Sequence, residues 1–134
     1  MCVCSLVACT EVGYWQTARK PGQSIRSQRI NRSYYQQLCK EVFGVTELPA
    51  INATNNYYGG AHLATSNTFF VNGVEDPWQW ASVRHTLAPT VPAVVVNCTQ
   101  CAHCVEEYTP MADDAKELVA VRQRVTAFVR RLLE

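Results

Sequence analysis

The chain has 134 residues, 48% of them apolar and 17% charged, with a formal net charge of +1. That balance supports one modest hydrophobic core and excludes a disordered tail. Lys and Arg stay scattered until "RQRVTAFVRR", and apolar runs such as "PAVVV" fall far short of the roughly 20 residues that span a bilayer, so neither nucleic acid nor a membrane is expected as a partner.

The opening "MCVCSLVACTE" lacks a basic n-region and reaches Thr10 and Glu11 before a sufficient apolar stretch, so it does not read as a signal peptide. "NRSYYQQLCKEVFG" sets Tyr34/Tyr35, Leu38/Cys39 and Val42/Phe43 at helical spacing, with Asn31 or Ser33 as cap and Gly44 as stop. It predicts a helix with Cys39 on the buried stripe. The turn-rich "GVTELPAINATNNYYGG" predicts a long irregular connection. "NTFFVNG" and "PAVVVN" are short β-rich runs closed by turn residues, predicting parallel strands buried on both faces, with a turn and a helix from "DPWQWASVRHTL" between them. "DDAKELVAVRQRVTAFVRRLL" is apolar at Leu118, Val121, Val125, Phe128/Val129 and Leu132 and predicts an amphipathic helix. This order is α/β organisation, with a cysteine-containing helical and connecting segment over 1–58 and the α/β part over 59–134. Sites in such folds gather at the carboxyl ends of strands, which singles out Asp76 and His103.

Seven cysteines together with sequons at Asn31, Asn52 and Asn97 point to an oxidising secretory compartment. The odd count leaves at least one thiol unpaired within the chain or paired to sequence outside it. Asn97 abuts a strand and is the poorest of the three acceptors, leaving Asn31 and Asn52. The run "VNCTQCAHCVEEY" places Cys98, Cys101, His103 and Cys104 within seven residues. One short turn does not easily surround an ion tetrahedrally, and zinc sites usually combine two separated ligand pairs. A ferredoxin-like cluster wants a cysteine where Tyr108 stands, and covalent haem attachment wants CxxCH, which Ala102 disrupts. No metal or cofactor is assigned, and these cysteines read as buried or disulfide-bonded. His103 has a better partner in an acid. In an α/β hydrolase the chain order is serine, acid, histidine, and Asp76 and His103 fit the last two places. His103 would take a proton from a serine hydroxyl and hand it to the leaving amine, while Asp76 would fix the tautomer.

The segment "YYGGAHLATSNTFFVNGVEDPW" resembles the Asn-Gly-x-x-Asp-Pro-Trp signature of the serine peptidase family that includes lysosomal Pro-X carboxypeptidase, dipeptidyl peptidase II and thymus-specific serine protease; here it is Asn72, Gly73, Asp76, Pro77 and Trp78. "ACTEVGYWQT" is similar to that family's Cys-Thr-Glu segment and "YYQQLCKEVFG" to the helix after it, which implies a Cys9–Cys39 disulfide. "AHCVEEYTPMADDAKELVAVRQRV" is similar to the Ala-His stretch followed by an Asp-x-x-x-Leu helix carrying an arginine, which puts the catalytic histidine at His103 and the acid at Asp76. The chain departs from the family by having "QWAS" after Asp-Pro-Trp and Cys101 before Ala-His, where glycines are frequent. The Gly-x-Ser-x-Gly elbow is absent from the 134 residues, since "PGQSIRS" lacks the second glycine.

The resemblance therefore implies the C-terminal part of an α/β hydrolase, a serine exopeptidase acting on peptides near a chain end, after proline or a small residue, through an acyl-enzyme. The nucleophile would lie in an N-terminal part of the same enzyme, so the isolated chain is expected to be inactive. A lysosomal or extracellular location follows from the same likeness, and no cofactor is implied. Two other readings stay open, a truncated non-catalytic remnant and a cysteine-rich metal module. Trp78 and Trp80 are expected to pack rather than bind substrate, His62 and His85 to lie on the surface, and Glu11 to be a lesser candidate for a hydrogen bond near the site.

Overall fold

The computed structural model describes residues 3–23 and 25–134, which divide into two compact units, Met1–Gly60 and Ala61–Glu134. In the first, helix α1 (Val3–Val7) widens into a π turn over Ala8–Val12 that ends at Gly13 with φ 62°. Cys9 in that turn is bonded to Cys39 of helix α2 (Arg32–Phe43), with Cα atoms 5.6 Å apart, and both are buried. Helix α2 has the predicted ends because both carry caps: the Asn31 side chain accepts from the Tyr34 amide, and Gly44 at φ 70° turns its amide back to the Cys39 and Lys40 carbonyls. Its buried stripe is narrower than the spacing suggests, since Tyr34 and Val42 are exposed. Tyr35 lies flat against Trp15, with ring centroids 5.8 Å apart, and its hydroxyl donates to the Gln16 carbonyl.

The connection predicted to be irregular contains a third helix, α3 (Ile51–Tyr58). Its asparagines are poor helix formers, but tertiary contacts outweigh propensity here. The Ala50 amide donates to the Thr10 carbonyl at 2.8 Å, and the Thr54 hydroxyl donates to the Glu11 carbonyl at 3.3 Å. Ile51 rests on Gly13, where a Cβ would come within 2.7 Å of its Cδ1. Gly59 at φ 89° ends the helix.

In the second unit, β1 (Phe70–Gly73) and β2 (Ala93–Val96) pair in parallel, from Phe70 opposite Ala93 to Gly73 opposite Val96. These two strands form the only sheet among the described residues. Phe70 and Val71, and 93–95 of β2, are therefore half-buried, not buried on both faces as the sequence pattern predicts. The core joins the sheet to helix α4 (Lys116–Leu133): Val96 and Cys101 pack with Leu118 and Val121, flanked by Val71, Val94, Cys98, Val105 and Ala115. Further along α4, Phe128 meets Phe69 edge to face with centroids 5.4 Å apart. Helix α4 starts after the acidic pair because Asp114 is committed elsewhere, accepting from the Met111 amide at 2.8 Å and pairing with Arg122.

The helix predicted between the strands shrinks to one 3₁₀ turn, Pro77–Ala81. Gln79 is the reason it stops. Its side chain turns inward and donates to the Val74 carbonyl at 2.6 Å, while Ser82 is extended and the buried Asn72 amide donates to the Val83 carbonyl at 3.0 Å. The segment is pinned beneath the end of β1, which leaves no room for a second helical turn.

Candidate active site

The end of β1 and the end of β2 are built into one corner. The Val74 amide donates to the Val96 carbonyl at 3.0 Å, and the Glu75 amide donates to the Cys101 carbonyl at 2.9 Å, carrying the pairing past the strands. In return the Gln100 amide donates to the Glu75 carboxylate at 3.2 Å. Gly73 makes this approach possible: a Cβ there would lie under 3.0 Å from the carbonyls of Cys101 and Ala102. The φ of Gly73 is not in the left-handed region, so the glycine is needed for space rather than for conformation.

The turn after Gly73 presents Asp76, whose side chain is only 8% exposed. Its Oδ1 accepts from the Trp78 amide at 2.8 Å, capping the 3₁₀ turn, and its Oδ2 lies 2.7 Å from His103 Nδ1. Both carboxylate oxygens are thus engaged, which fixes the plane of the group. His103 is 65% exposed, and with Nδ1 engaged by Asp76 the nitrogen available to a second group is Nε2. The loop carrying it is held on both sides. Before it, Cys98 is bonded to Cys101, which is 1% exposed in the core. Two non-glycine residues bracket it in the left-handed region, Gln100 at φ 66° and Cys104 at φ 54°, a conformation that costs about 1–2 kcal/mol per residue. Such strain persists only where the surrounding contacts impose it.

A buried carboxylate thus holds one imidazole nitrogen and leaves the other open to a second group. The sequence profile of serine carboxypeptidase S28 matches residues 6–125. The chain belongs to the S28 family. S28 members are serine peptidases with an α/β-hydrolase-type fold, and the second unit is a small α/β arrangement with two parallel strands. Among curated relatives, the probable serine protease EDA2 of Arabidopsis thaliana is 44% identical over 96 residues, covering 72% of this chain and 19% of that protein. The thymus-specific serine protease of Mus musculus is 31% identical over 121 residues, 88% of this chain and 23% of its own length. A probable extracellular serine carboxypeptidase of Arthroderma benhamiae is 35% identical over 83 residues, 60% of this chain and 12% of that protein. The chain thus spans about a fifth of the length of the first two relatives. No solved structure matches it.

The residues of the Asn-Gly-x-x-Asp-Pro-Trp segment divide the labour of this corner. Asn72 and Gly73 hold it together, Asp76 faces His103 and Trp78 contributes its amide, while Trp80, beyond the segment, stacks under the Arg84 guanidinium at 4.0 Å. Both indoles are exposed, Trp80 at 67%. His62 and His85 are exposed, as is Glu11 in the first unit. Asn31, Asn52 and Asn97 are all exposed, so proximity to a strand does not bury Asn97. The Cys98–Cys101 bond occupies two of the four donors in the cysteine run, and among the described residues no group of three or more His, Cys, Asp and Glu is gathered as a metal site. Cys104 keeps a half-buried thiol, pushed above its ordinary range by burial first and then by Glu107, Glu106 and Asp76.

Glu75, Gln79, Asp114 and Arg122 are structural partners of the site that sequence reasoning passed over. The Asp-x-x-x-Leu helix with its arginine is visible in the sequence, but what the arginine touches is not. Arg122 donates through Nε to the Glu106 carbonyl at 3.0 Å and through Nη2 to the carbonyls of Val105 at 3.1 Å and Tyr108 at 3.0 Å. Its Nη1 pairs with Asp114. The Met111 amide, and after it Arg122, holds the Asp114 carboxyl below its ordinary range.

Proposed function

We propose that Asp76 and His103 are the acid and base of a serine-peptidase relay, and that the chain is the C-terminal part of an S28 exopeptidase. The observation that carries this is the 2.7 Å contact between Asp76 Oδ2 and His103 Nδ1, made by a buried carboxylate to an exposed imidazole. Asp76 keeps the proton on Nδ1 and stabilises the imidazolium. Nε2 is then free to accept the proton of a serine hydroxyl as it attacks a peptide carbonyl, and to return it to the leaving amine. The serine belongs to a Gly-x-Ser-x-Gly elbow, which the 134 residues do not contain. It is therefore assigned to a preceding segment of the same enzyme, and the chain alone is predicted to be inactive. The substrate is a peptide cleaved near its end, of the kind that prolyl carboxypeptidases and dipeptidyl peptidases take. Two disulfides and the extracellular fungal relative support a lysosomal or extracellular setting.

The missing elbow also favours a second reading, a remnant that keeps the corner without catalysis. One experiment separates them. A fluorophosphonate probe and a prolyl peptide are offered to the chain alone and to the chain joined to an elbow-bearing segment that precedes it. The first reading expects labelling and turnover only in the joined protein, with kcat falling on the order of 10⁴-fold in Asp76→Asn. Joined protein that labels and turns over equally well with Asp76→Asn and His103→Ala would remove both residues from the relay.

A further inference from the structure

We infer that Arg122 is a positioning residue for His103, setting the imidazole against Asp76 by drawing the turn that follows it onto helix α4. The inference rests on the acid–base reading of Asp76 and His103, and it concerns how that pair is held.

Among the described residues the His103 side chain makes one hydrogen bond, to Asp76, and it is 65% exposed. Packing of its own ring therefore does little to locate it, so the main chain on either side must. On the preceding side the Cys98–Cys101 bond and the close approach to Gly73 anchor the chain as far as Ala102. On the following side neither device operates. Cys104 adopts φ 54°, and the turn Val105–Glu107 is a single 3₁₀ element. Val105 of that turn packs against the core, and one guanidinium ties the turn's carbonyls to α4. Arg122 bonds the carbonyls of Val105, Glu106 and Tyr108, which lie two, three and five residues after His103.

The arrangement suits arginine and no other residue. Five donors on a rigid plane reach carbonyls in different directions, whereas a lysine ammonium is a point charge with three mobile donors. Arg122 is itself fixed, its side chain 15% exposed and paired to Asp114, which is 7% exposed. The Asp114 carboxylate in turn accepts from the Met111 amide, so both ends of the 105–114 stretch converge on one ion pair. Helix α4 supplies the rigid base, because Leu118 and Val121, four and one positions from Arg122 along the helix, sit in the core with Val96 and Cys101. The left-handed Cys104 is a conformation that the free chain would leave. Without the clamp, the turn relaxes, and the nearest side chain to move is the imidazole.

A purely structural clamp would alter stability and leave the imidazole alone, so the test reads the imidazole directly. The whole chain, with ¹⁵N-labelled histidine, is titrated by NMR as wild type, Arg122→Lys, Arg122→Gln, Asp114→Asn and Asp76→Asn. The exposed His62 and His85 serve as internal references. In the wild type His103 is expected as the Nδ1–H tautomer. In folded Arg122→Gln, the tautomer ratio should fall about tenfold toward that of the reference histidines, and Arg122→Lys should fail to restore it. If Arg122→Gln does not fold, Asp114→Asn carries the test, with a smaller shift of the same sign. An unchanged His103 spectrum in the folded variants overturns the positioning role, even if their melting temperatures fall. An unchanged spectrum in Asp76→Asn instead overturns the acid–base pairing on which the inference rests.

Discussion

Replacing Gly73 with alanine adds a single methyl group, and the structure says where it goes. The new Cβ would lie under 3.0 Å from the carbonyls of Cys101 and Ala102, which are main chain and have no rotamer in which to escape. Because Gly73 does not use the left-handed region, the backbone itself tolerates alanine, and the whole cost is steric. Overpacking of this kind costs about 1–3 kcal/mol. Moving the 101–102 main chain aside also breaks the Glu75 amide to Cys101 carbonyl bond, now 2.9 Å, for roughly 1 kcal/mol more. The expected loss is about 2–4 kcal/mol, seen as a drop in melting temperature on the order of 10 °C. The displaced segment leads straight to His103. A shift of about 1 Å would carry the present 2.7 Å contact with Asp76 beyond hydrogen-bonding distance. Thermal unfolding by circular dichroism measures the first effect, and the Nδ1–H signal of His103 measures the second. A Gly73→Ala chain with wild-type melting and an intact Nδ1–H signal would refute the claim that this glycine makes room for the histidine loop.

Three further outcomes follow from other contacts. Asp114 has a carboxyl depressed by the Met111 amide and by Arg122, so the folded chain binds that proton more weakly than the unfolded chain does. Its contribution is complete above the ordinary carboxyl range and is lost as pH falls below about 4 through the depressed value, so Asp114→Asn should flatten the acid limb of a denaturant-stability curve. The Cys9–Cys39 bond spans a separation of 30 residues and Cys98–Cys101 one of 3. In the chain-entropy model the first contributes about 3–4 kcal/mol and the second about 1–2, so Cys39→Ser should lower the urea midpoint more than Cys98→Ser. Alkylation at Cys104, followed by peptide mass mapping, should be slower at pH 8 than for an unstructured thiol and should accelerate only at higher pH, because its thiol is pushed up.

Helix α2 was legible because its end signals are local: Gly44 marks the stop by its freedom at positive φ, and Asn31, one of two candidate caps with Ser33, is the one whose side chain accepts from the first turn. Helix α3 was not, because what fixes "INATNNYY" is a seat on Gly13 and a bond to Thr10, some forty residues away in sequence. The parallel strands were readable from their β-branched runs. The absent helix after Pro77 was not, since it depends on Gln79 turning toward a strand carbonyl. At the candidate site the partnership of Asp76 with His103 could be expected from chain order and motif. Gly73 and the helix arginine stand in the motifs, but their roles could not be read there, because Gly73 acts through an empty volume and Arg122 through main-chain carbonyls.

The sheet of the second unit bears on how this polypeptide behaves in the test tube. Each strand pairs on one side only among the described residues, and neither Phe70–Gly73 nor Ala93–Val96 carries a charge that would discourage a second copy from pairing there. Open, uncharged, β-branched edges template association between chains. Yield of the isolated polypeptide should therefore fall steeply with concentration during refolding, and Val95→Lys should recover soluble material.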